Sequence, residues 1–173
     1  SGIDIREAGS GNIGATNVGR VVGWKVGLIT LLADAGKGFI LVFFSVHLGF
    51  DPKVIALTAM AAFIGHLYPV FLKFKGGKGV ATALGCLAGI APLIAGCLTL
   101  AFLPIVLITR WVSVGSISAA ALAPLLFWFF DYELPFVLMS LIMAIFIIVR
   151  HRGNIQRLIS GAESQFKLRR GGQ

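Results

Sequence analysis

The sequence predicts an all-α fold, a polytopic helical bundle embedded in a membrane as one domain over residues 1–173. Three observations predict this fold class. Of the 173 residues, 57% are apolar and 13% are charged, whereas about a quarter of the residues of a soluble domain are charged. The mean hydropathy is +0.92. Residues 79–109, 111–130 and 134–149 contain no charged side chain, and a bilayer crossing needs about 17 to 25 predominantly apolar residues.

Short polar turns separate the apolar segments, and no long linker or repeat interrupts them. The segments cover about 21–46, 54–72, 79–109, 111–130 and 134–149. As a single helix, 79–109 would be about 46 Å long, well beyond a hydrocarbon core of about 30 Å. Pro92 lies near its middle. The segment therefore either crosses once as a kinked helix or divides into two helices.

The distribution of Lys and Arg distinguishes these two arrangements, because basic residues favour the cytoplasmic side of a membrane. A single crossing would place basic clusters on both sides. Division at Pro92, into a short helix over about 80–91 and a longer one over about 93–109, places them all on one side. We therefore predict six membrane helices, of which the short one need not span fully. The basic clusters lie at 20–25, 73–78, 110 and 150–170, and the acidic residues expected opposite them are Asp51, Asp131 and Glu133.

Four side chains inside the apolar segments could carry chemistry, but their spacing favours structural roles. Asp34 and Lys37 lie three residues apart in the first segment. Charges at that depth are costly unless paired, so we interpret them as a mutual structural pair. Cys86 and Cys97 lie in an uncharged stretch without a CxxC motif, and we interpret them as packing residues.

The stretch GSGNIG, residues 9–14, has the glycine spacing of a dinucleotide-binding loop, and Asp34 follows about twenty residues later. That fold requires a strand before the glycines and alternating strands and helices after them. A continuous apolar segment follows instead, so the sequence disfavours a nucleotide site.

The same glycines suit an anion site. Gly9, Gly11 and Gly14 allow backbone N–H groups to turn towards an anion at the start of a helix. Thr16 and Arg20 share a face if the helix begins near Gly14. A glycine-rich turn that only caps a membrane helix is the alternative, which accounts for the glycines but not for Arg20. The other hydrogen-bonding side chains of this stretch are Ser10, Asn12 and Asn17.

A second glycine-rich stretch is KFKGGKGVAT, residues 73–82. A lysine between glycines combines a cation with freed backbone amides, which favours phosphate binding at Lys78. It is not a Walker loop, because Gly79 rather than Ser or Thr follows the lysine. Basic anchoring at the membrane surface is the alternative, but it gives no reason for the glycines. Upstream, His66 is interpreted as a packing or capping residue more readily than as a base.

Two further stretches add polar groups on the same predicted face. In RWVSVGSIS, Ser113 and Ser116 lie three apart and could turn both hydroxyls to one site, although serine in membrane helices is commonly a packing residue. In RHRGNIQRL, Arg150, Asn154 and Arg157 follow helical spacing and form a polar, cationic stripe. Alone, that stripe would indicate a basic helix at the membrane surface.

Together these loops hold several cations and two glycine-rich turns, without paired carboxylates, a cluster of metal ligands or an evident Ser/His/Asp relay. We therefore expect no cofactor and no metal. The pattern predicts a polyanion pocket at the membrane surface. Such a pocket suits phosphate esters or anhydrides with a lipid tail, because positioning and charge neutralisation can catalyse their reaction.

The sequence favours two other functions less. A transporter of phosphate-bearing anions is the alternative, although its binding charges should lie near the bilayer midplane. Nucleic acid is not an expected partner, because the cations are divided among short loops without interleaved aromatic side chains.

Three segments, GSGNIGATNVGR, GHLYPVFLKFKGGKGVATALG and RHRGNIQRL, resemble the three motifs of the bacterial acyl-phosphate-dependent glycerol-3-phosphate acyltransferases, the PlsY family. The resemblance includes ADAGKG and WVSVGSIS and covers nearly the whole chain. It implies transfer of an acyl chain from acyl phosphate to the 1-hydroxyl of glycerol-3-phosphate, giving lysophosphatidic acid and phosphate, the first committed step of phospholipid synthesis.

The resemblance also implies a multi-pass protein of the bacterial inner membrane, in contact with membrane lipid, with its active site on the cytoplasmic side. A monomer is expected. The family fold has seven membrane helices, the first of which precedes the first motif. Six are therefore expected in this chain, with the first family helix missing.

The site residues implied by the resemblance and by the glycine-rich turns fall into two groups. Catalytic roles fall on Arg20, Lys78, Ser116, His151 and Asn154. Substrate-binding roles fall on Ser10, Gly11, Asn12, Thr16, Asn17, Gly76, Gly77, Gly79 and Ser113. Lys78 with its glycines is assigned to acyl phosphate, and Arg20 with Asn154 to glycerol phosphate, with the reverse assignment as the alternative. Since no protein base is evident, a phosphate oxygen of one substrate is expected to accept the hydroxyl proton.

Overall fold

A computed structural model of the chain describes residues 2–166, and in that range it contains eight α-helices and no strand. The helices are α1 (Ala15–Val21), α2 (Trp24–His47), α3 (Pro52–Leu67), α4 (Val80–Ile90), α5 (Pro92–Thr109), α6 (Val112–Phe129), α7 (Leu134–Arg150) and α8 (Arg152–Ile159), with a 3-10 turn at Val70–Leu72. The predicted all-α fold class is confirmed. Lys167, Arg169 and Arg170, at the end of the predicted basic tail, lie outside the described residues.

Six of these helices, α2 to α7, are the apolar helices predicted from the sequence. By length and composition, four stretches can each cross a bilayer: Trp24–His47, Pro52–Leu72, Pro92–Thr109 and Val112–Phe129. The helices α7 and α8 form a further candidate crossing with a bend of 53° between them. Helix α4 has only 11 residues, about 16 Å at the rise of an α-helix.

The division of 79–109 into two helices is confirmed. Helix α4 ends at Ile90, and α5 begins at Pro92, because proline has no N–H for a helix interior but suits the first helical position. The first apolar segment differs from its prediction. It is interrupted at Gly23, whose φ of 132° is a backbone conformation that favours glycine, so α1 and α2 are separate helices.

Helix α4 packs most extensively against α2 and also contacts α3 and α5. Glycines on both helices allow this approach. A Cβ at Gly85 would lie 1.9 Å from the carbonyl oxygen of Ala35, and one at Gly38 would lie 2.5 Å from that of Thr82. Small residues allow close backbone approach between membrane helices. This contact fixes the position of α4 and therefore of Lys78, which lies two residues before the helix.

The ends of the bundle differ in charge as predicted. Helices α2, α4 and α6 begin, and α3, α5 and α7 end, at the end that carries the glycine-rich stretches and the basic clusters. At the other end, Pro52, Asp131 and Glu133 line one cavity of about 530 Å³, and Asp51 caps α3 beside it by accepting from the N–H of Lys53. The acidic turns therefore lie opposite the basic clusters.

Asp34 and Lys37 form the predicted pair inside α2, with Lys37 Nζ 2.7 Å from Asp34 Oδ1. His66 of α3 joins them, since its Nδ1 lies 2.7 Å from Lys37 Nζ and 3.4 Å from Asp34 Oδ1. The sequence pattern did not link His66 to this pair. The cluster ties α2 to the end of α3, where the second glycine-rich stretch begins.

The outer surface of the bundle is apolar. Large side chains such as Leu32, Phe44, Leu100, Ile108 and Trp128 are exposed on α2, α5 and α6, whereas soluble proteins rarely expose contiguous apolar patches of this kind. Such a surface is stable against lipid tails.

Candidate active site

A cavity of about 590 Å³ opens at the basic end of the bundle. Three stretches that are distant in sequence contribute to its wall: the first glycine-rich stretch, the second one, and the segment around the α7–α8 bend. Five cationic side chains and two carboxylates line it, and one of those carboxylates, Asp4, is paired with Arg6 at 2.6 Å. The cavity therefore attracts anions. Its lining residues are Asp4, Arg6, Glu7, Ser10, Gly11, Asn12, Ile13, Phe74, Lys75, Gly76, Lys78, Arg150, Gly153, Asn154 and Arg157.

The second glycine-rich stretch brings Lys78 to this cavity from the start of α4. Gly79, the N-cap of α4, has a φ of 85°, and a Cβ there would lie 2.3 Å from the ring of the buried Phe63. Only glycine fits both the conformation and the space. The backbone of the stretch can therefore lie against the core while the lysine side chain extends into the cavity.

Lys78 contacts Asn154 of α8, and Asn154 connects it to a carboxylate. Lys78 Nζ donates a hydrogen bond to Asn154 Oδ1, and Asn154 Nδ2 donates to Glu163 Oε1. Glu163 also accepts from Ser113 Oγ at 2.9 Å and from Arg157 Nε at 2.8 Å. The side chain of Glu163 is only 7% exposed, so one buried carboxylate organises groups from α6, α8 and the start of α4.

Glu163 was not among the residues predicted from the sequence. It lies in the segment after α8, 50 residues from Ser113 and nine from Asn154, and no spacing pattern marks it. Burial alone would raise the pKa of Glu163, but the hydrogen bonds from Asn154, Arg157 and Ser113 hold that pKa below its ordinary value. The carboxylate is therefore ionised at neutral pH and serves as a fixed acceptor.

The environment of Lys78 makes its charge titratable near neutral pH. Burial lowers the pKa of Lys78 to about 8, the charge of Glu163 opposes this, and the charges of Arg157, Arg150 and Arg20 lower the pKa further. A dianionic phosphate beside the ammonium group would raise that pKa again. A bound anion would therefore stabilise the charged form of Lys78.

Arg20 and Thr16 lie exposed on α1, outside the cavity lining. Arg20 nevertheless lies close enough to Lys78 for its charge to act on the lysine. The structure therefore brings Arg20, Lys78 and Asn154 to the same end of the molecule.

The first glycine-rich stretch forms a compact loop around Asn17. The amide of Asn17 donates to the carbonyl oxygens of Ala8 at 3.0 Å and Asn12 at 2.9 Å, and its Oδ1 accepts from the N–H of Ser10 at 2.8 Å. Asn17 is 3% exposed and does not line the cavity. Its side chain holds the loop that presents Ser10, Gly11 and Asn12 to the cavity.

The remaining predicted residues lie beside the cavity rather than in its wall. Ser116 donates to the carbonyl of Val112 in its own helix, whereas Ser113 reaches Glu163, so the two hydroxyls do not share one site. Gly77, Gly79 and His151 are buried.

His151 Nδ1 donates to the Ile147 carbonyl at 2.8 Å, because that oxygen can only accept. Burial, and then the charge of Lys78, lower the pKa of His151 to about 4, so its ring is neutral at pH 7.

Comparison with known proteins identifies the family. A model of the glycerol-3-phosphate acyltransferase family matches residues 1–161. The chain belongs to this family. Among curated relatives, the glycerol-3-phosphate acyltransferase of Geobacter sulfurreducens is 51% identical over 168 residues, which cover 96% of this chain and 86% of the relative. That of Aquifex aeolicus is 44% identical over 166 residues, covering 95% and 86%.

Two solved structures of PlsY, an integral membrane glycerol 3-phosphate acyltransferase, are similar to this acyltransferase. The glycerol 3-phosphate form has a TM-score of 0.93 at 44% identity and covers 96% of this chain and 84% of that one. The lysophosphatidic acid form has a TM-score of 0.88 at 43% identity, covering 91% and 81%. The chain is therefore an integral membrane acyltransferase, which confirms the resemblance seen in the three motifs and does not support a transporter.

The pKa of Lys78 predicts a pH dependence for anion binding. Below about pH 8 the side chain is charged and attracts phosphate, and above that pH it loses its proton and the attraction weakens. We expect the affinity for inorganic phosphate to fall as the pH rises from about 7 to about 9.5. In Lys78→Arg the fall should disappear from this range, because the pKa of arginine is above about 12. Titration calorimetry on both proteins measures this, and an identical decline in both would contradict it.

Proposed function

We propose that this acyltransferase transfers an acyl chain from acyl phosphate to the 1-hydroxyl of glycerol-3-phosphate, giving lysophosphatidic acid and inorganic phosphate. The observation that carries the proposal is the cationic cavity, in which Lys78 and a glycine-rich turn face Asn154 and the first glycine-rich loop. Both reactants carry phosphate, and the excess of cations in the cavity would stabilise both when they are bound. The forms of PlsY named for glycerol 3-phosphate and for lysophosphatidic acid support the acceptor and the product.

The proposed reaction needs no covalent intermediate on the protein. The 1-hydroxyl oxygen attacks the acyl carbonyl carbon, the bond from that carbon to the phosphate oxygen breaks, and inorganic phosphate leaves. The hydroxyl proton passes to a phosphate oxygen, so the substrate serves as its own base. In support, Cys86 and Cys97 lie in α4 and α5 away from the cavity lining, and Glu163 is fully engaged in hydrogen bonds.

The protein's contribution is then positioning and charge stabilisation. Lys78 and the turn before α4 hold the phosphate of acyl phosphate, and Arg20 with Asn154 holds that of the acceptor. As negative charge moves to the leaving phosphate, cations and amides already positioned around it stabilise it with little reorganisation. Neutral His151, next to this network, keeps its second ring nitrogen available as an acceptor.

We further propose that the cavity faces the cytoplasm across a bacterial inner membrane. Cations of the basic clusters at 73–78 and 150–170 line the cavity and the acidic turns lie at the other end, which is the distribution that favours a cytoplasmic position. The acyl chain then lies along the apolar outer faces of the helices, within the leaflet on that side.

The donor is tested by offering the purified protein acyl phosphate, acyl-CoA and acyl carrier protein side by side with glycerol-3-phosphate. We expect acyl phosphate alone to be consumed, with equal amounts of lysophosphatidic acid and inorganic phosphate formed. The control omits glycerol-3-phosphate and should leave the donor intact. Equal consumption of either thioester would contradict the proposed donor.

Two substitutions test the proposed roles of the cations. Lys78→Ala removes a charge that would stabilise the leaving phosphate and should lower kcat/KM about a hundred- to a thousandfold. Arg20→Lys replaces a planar fork by a point charge and should cost about tenfold to a hundredfold. Matched controls are Lys53→Ala, exposed at the opposite end, and Arg152→Lys, exposed on α8. Near-normal turnover of both site variants, with folding intact, would reject the assignment.

A further inference from the structure

Arg150, the last residue of α7, holds the turn that precedes Lys78. Its Nη2 donates to the carbonyl oxygen of Gly76 at 2.8 Å and to that of Gly77 at 3.0 Å, and its Nε lies 3.2 Å from the Gly77 oxygen. Its guanidinium carbon lies 5.4 Å from the centre of the Tyr68 ring. The guanidinium is therefore fixed by stacking on one residue and by hydrogen bonds to two consecutive carbonyls.

The same turn is bounded on its other side by the end of α3. The N–H of Gly76 donates to the carbonyl of Leu67 at 3.1 Å. A Cβ at Gly77 would lie 2.2 Å from Nε2 of His66, so the imidazole lies directly against the backbone. The turn is thus enclosed between α3 and Arg150, and glycine is needed because no side chain fits in that space.

Holding these two carbonyls also sets the direction of two N–H groups. In a planar trans peptide the C=O and the following N–H point in opposite directions. Carbonyls of Gly76 and Gly77 that point to Arg150 therefore turn the N–H groups of Gly77 and Lys78 away from it. Within residues 2–166 neither N–H has a hydrogen-bond acceptor. Successive free N–H groups before a helix N-terminus form an anion-binding concavity.

We propose that Arg150 is a positioning residue of the acyltransferase: it grips the Gly76 and Gly77 carbonyls so that the N–H groups of Gly77 and Lys78 bind a substrate phosphate. The phosphate as ligand rests on the proposed function. Arg150 also neutralises two carbonyl dipoles that would otherwise be free to turn towards the anion. Lysine is not an adequate replacement, because an ammonium group lacks the planar fork that meets two acceptors at once.

A direct contact between Arg150 and the phosphate is the competing role, since Arg150 lines the cavity. The two roles differ in what happens to the turn when the guanidinium is removed. A direct ligand would weaken binding but leave the turn amides in place. If Arg150 is a positioning residue, phosphate bound to an Arg150 variant still contacts the Lys78 side chain but no longer contacts the two N–H groups.

The test uses inorganic phosphate and the whole protein, labelled with ¹⁵N at glycine and lysine. In the wild type, saturating phosphate should shift the amide signals of Gly77 and Lys78. The shift should be lost in Arg150→Gln and in Arg150→Lys, even at concentrations that saturate them. The control is Arg152→Gln, an exposed arginine just across the α7–α8 bend, which should behave as the wild type.

Kinetics give a second readout. Misplacing reacting groups by about 1 Å costs about a hundredfold, so kcat/KM should fall by that order in both Arg150 variants and remain unchanged in Arg152→Gln. Added guanidinium, but not an equal concentration of methylammonium, should restore part of the activity of Arg150→Ala.

Four outcomes would overturn the proposal. They are amide shifts that persist in Arg150→Gln, no amide shift in the wild type, activity of Arg150→Lys equal to that of the wild type, and a loss that guanidinium and methylammonium restore equally. Failure of the proposed function would look different. The wild-type protein would then consume no acyl phosphate, while phosphate would still shift the amide signals of Gly77 and Lys78.

Discussion

The cationic cavity depends on the contact that joins Lys78 to Glu163 through Asn154. A lysine that is largely removed from water loses hydration, and it keeps its charge only if nearby groups replace that hydration. Here the amide of Asn154 accepts from Lys78 and donates to Glu163. Glu163 is in turn fixed by Ser113 and Arg157. One chain of hydrogen bonds therefore positions α4, α6 and α8 relative to each other and holds the central cation at the cavity.

The second constraint is the close packing of α2 against α4. Because Gly38 and Gly85 let the two backbones meet, the short helix α4 has a fixed position, and its N-terminus opens at the cavity. Gly79 then allows the chain to turn against Phe63. Lys78 is partly buried there, and the lower dielectric around it would strengthen its attraction for an anion compared with that in water.

Much of the fold follows from composition and charge. The absence of charged residues over long stretches predicts the apolar helices, and the one-sided distribution of Lys and Arg predicts the break at Pro92. The pairing of Asp34 with Lys37 follows from their spacing and from the cost of unpaired charge in a membrane. In each case the physical cause acts within one segment or on the whole chain, so no knowledge of contacts between segments is needed.

The site is less predictable, because its hydrogen bonds join segments that are far apart in sequence. The glycine spacing predicts a phosphate cradle around Lys78, but it does not reveal that Glu163 supports it or that Arg150 binds the carbonyls of the turn. Asn17 and Ser10 look alike as polar residues of one loop, yet Asn17 is buried as the centre of that loop and Ser10 faces the cavity. Side-chain direction of this kind is decided by tertiary packing.

We expect one cavity, formed by Lys78, Asn154 and two glycine-rich stretches, to hold the phosphate groups of both reactants. A crystal structure of this protein with glycerol-3-phosphate and a non-hydrolysable acyl phosphate analogue tests it most directly. Two phosphate groups should appear in that cavity, one of them in contact with Lys78 and the turn at Gly76 and Gly77. Phosphate density at the acidic end of the bundle, or beside α1 without contact to Lys78 or Asn154, would contradict it.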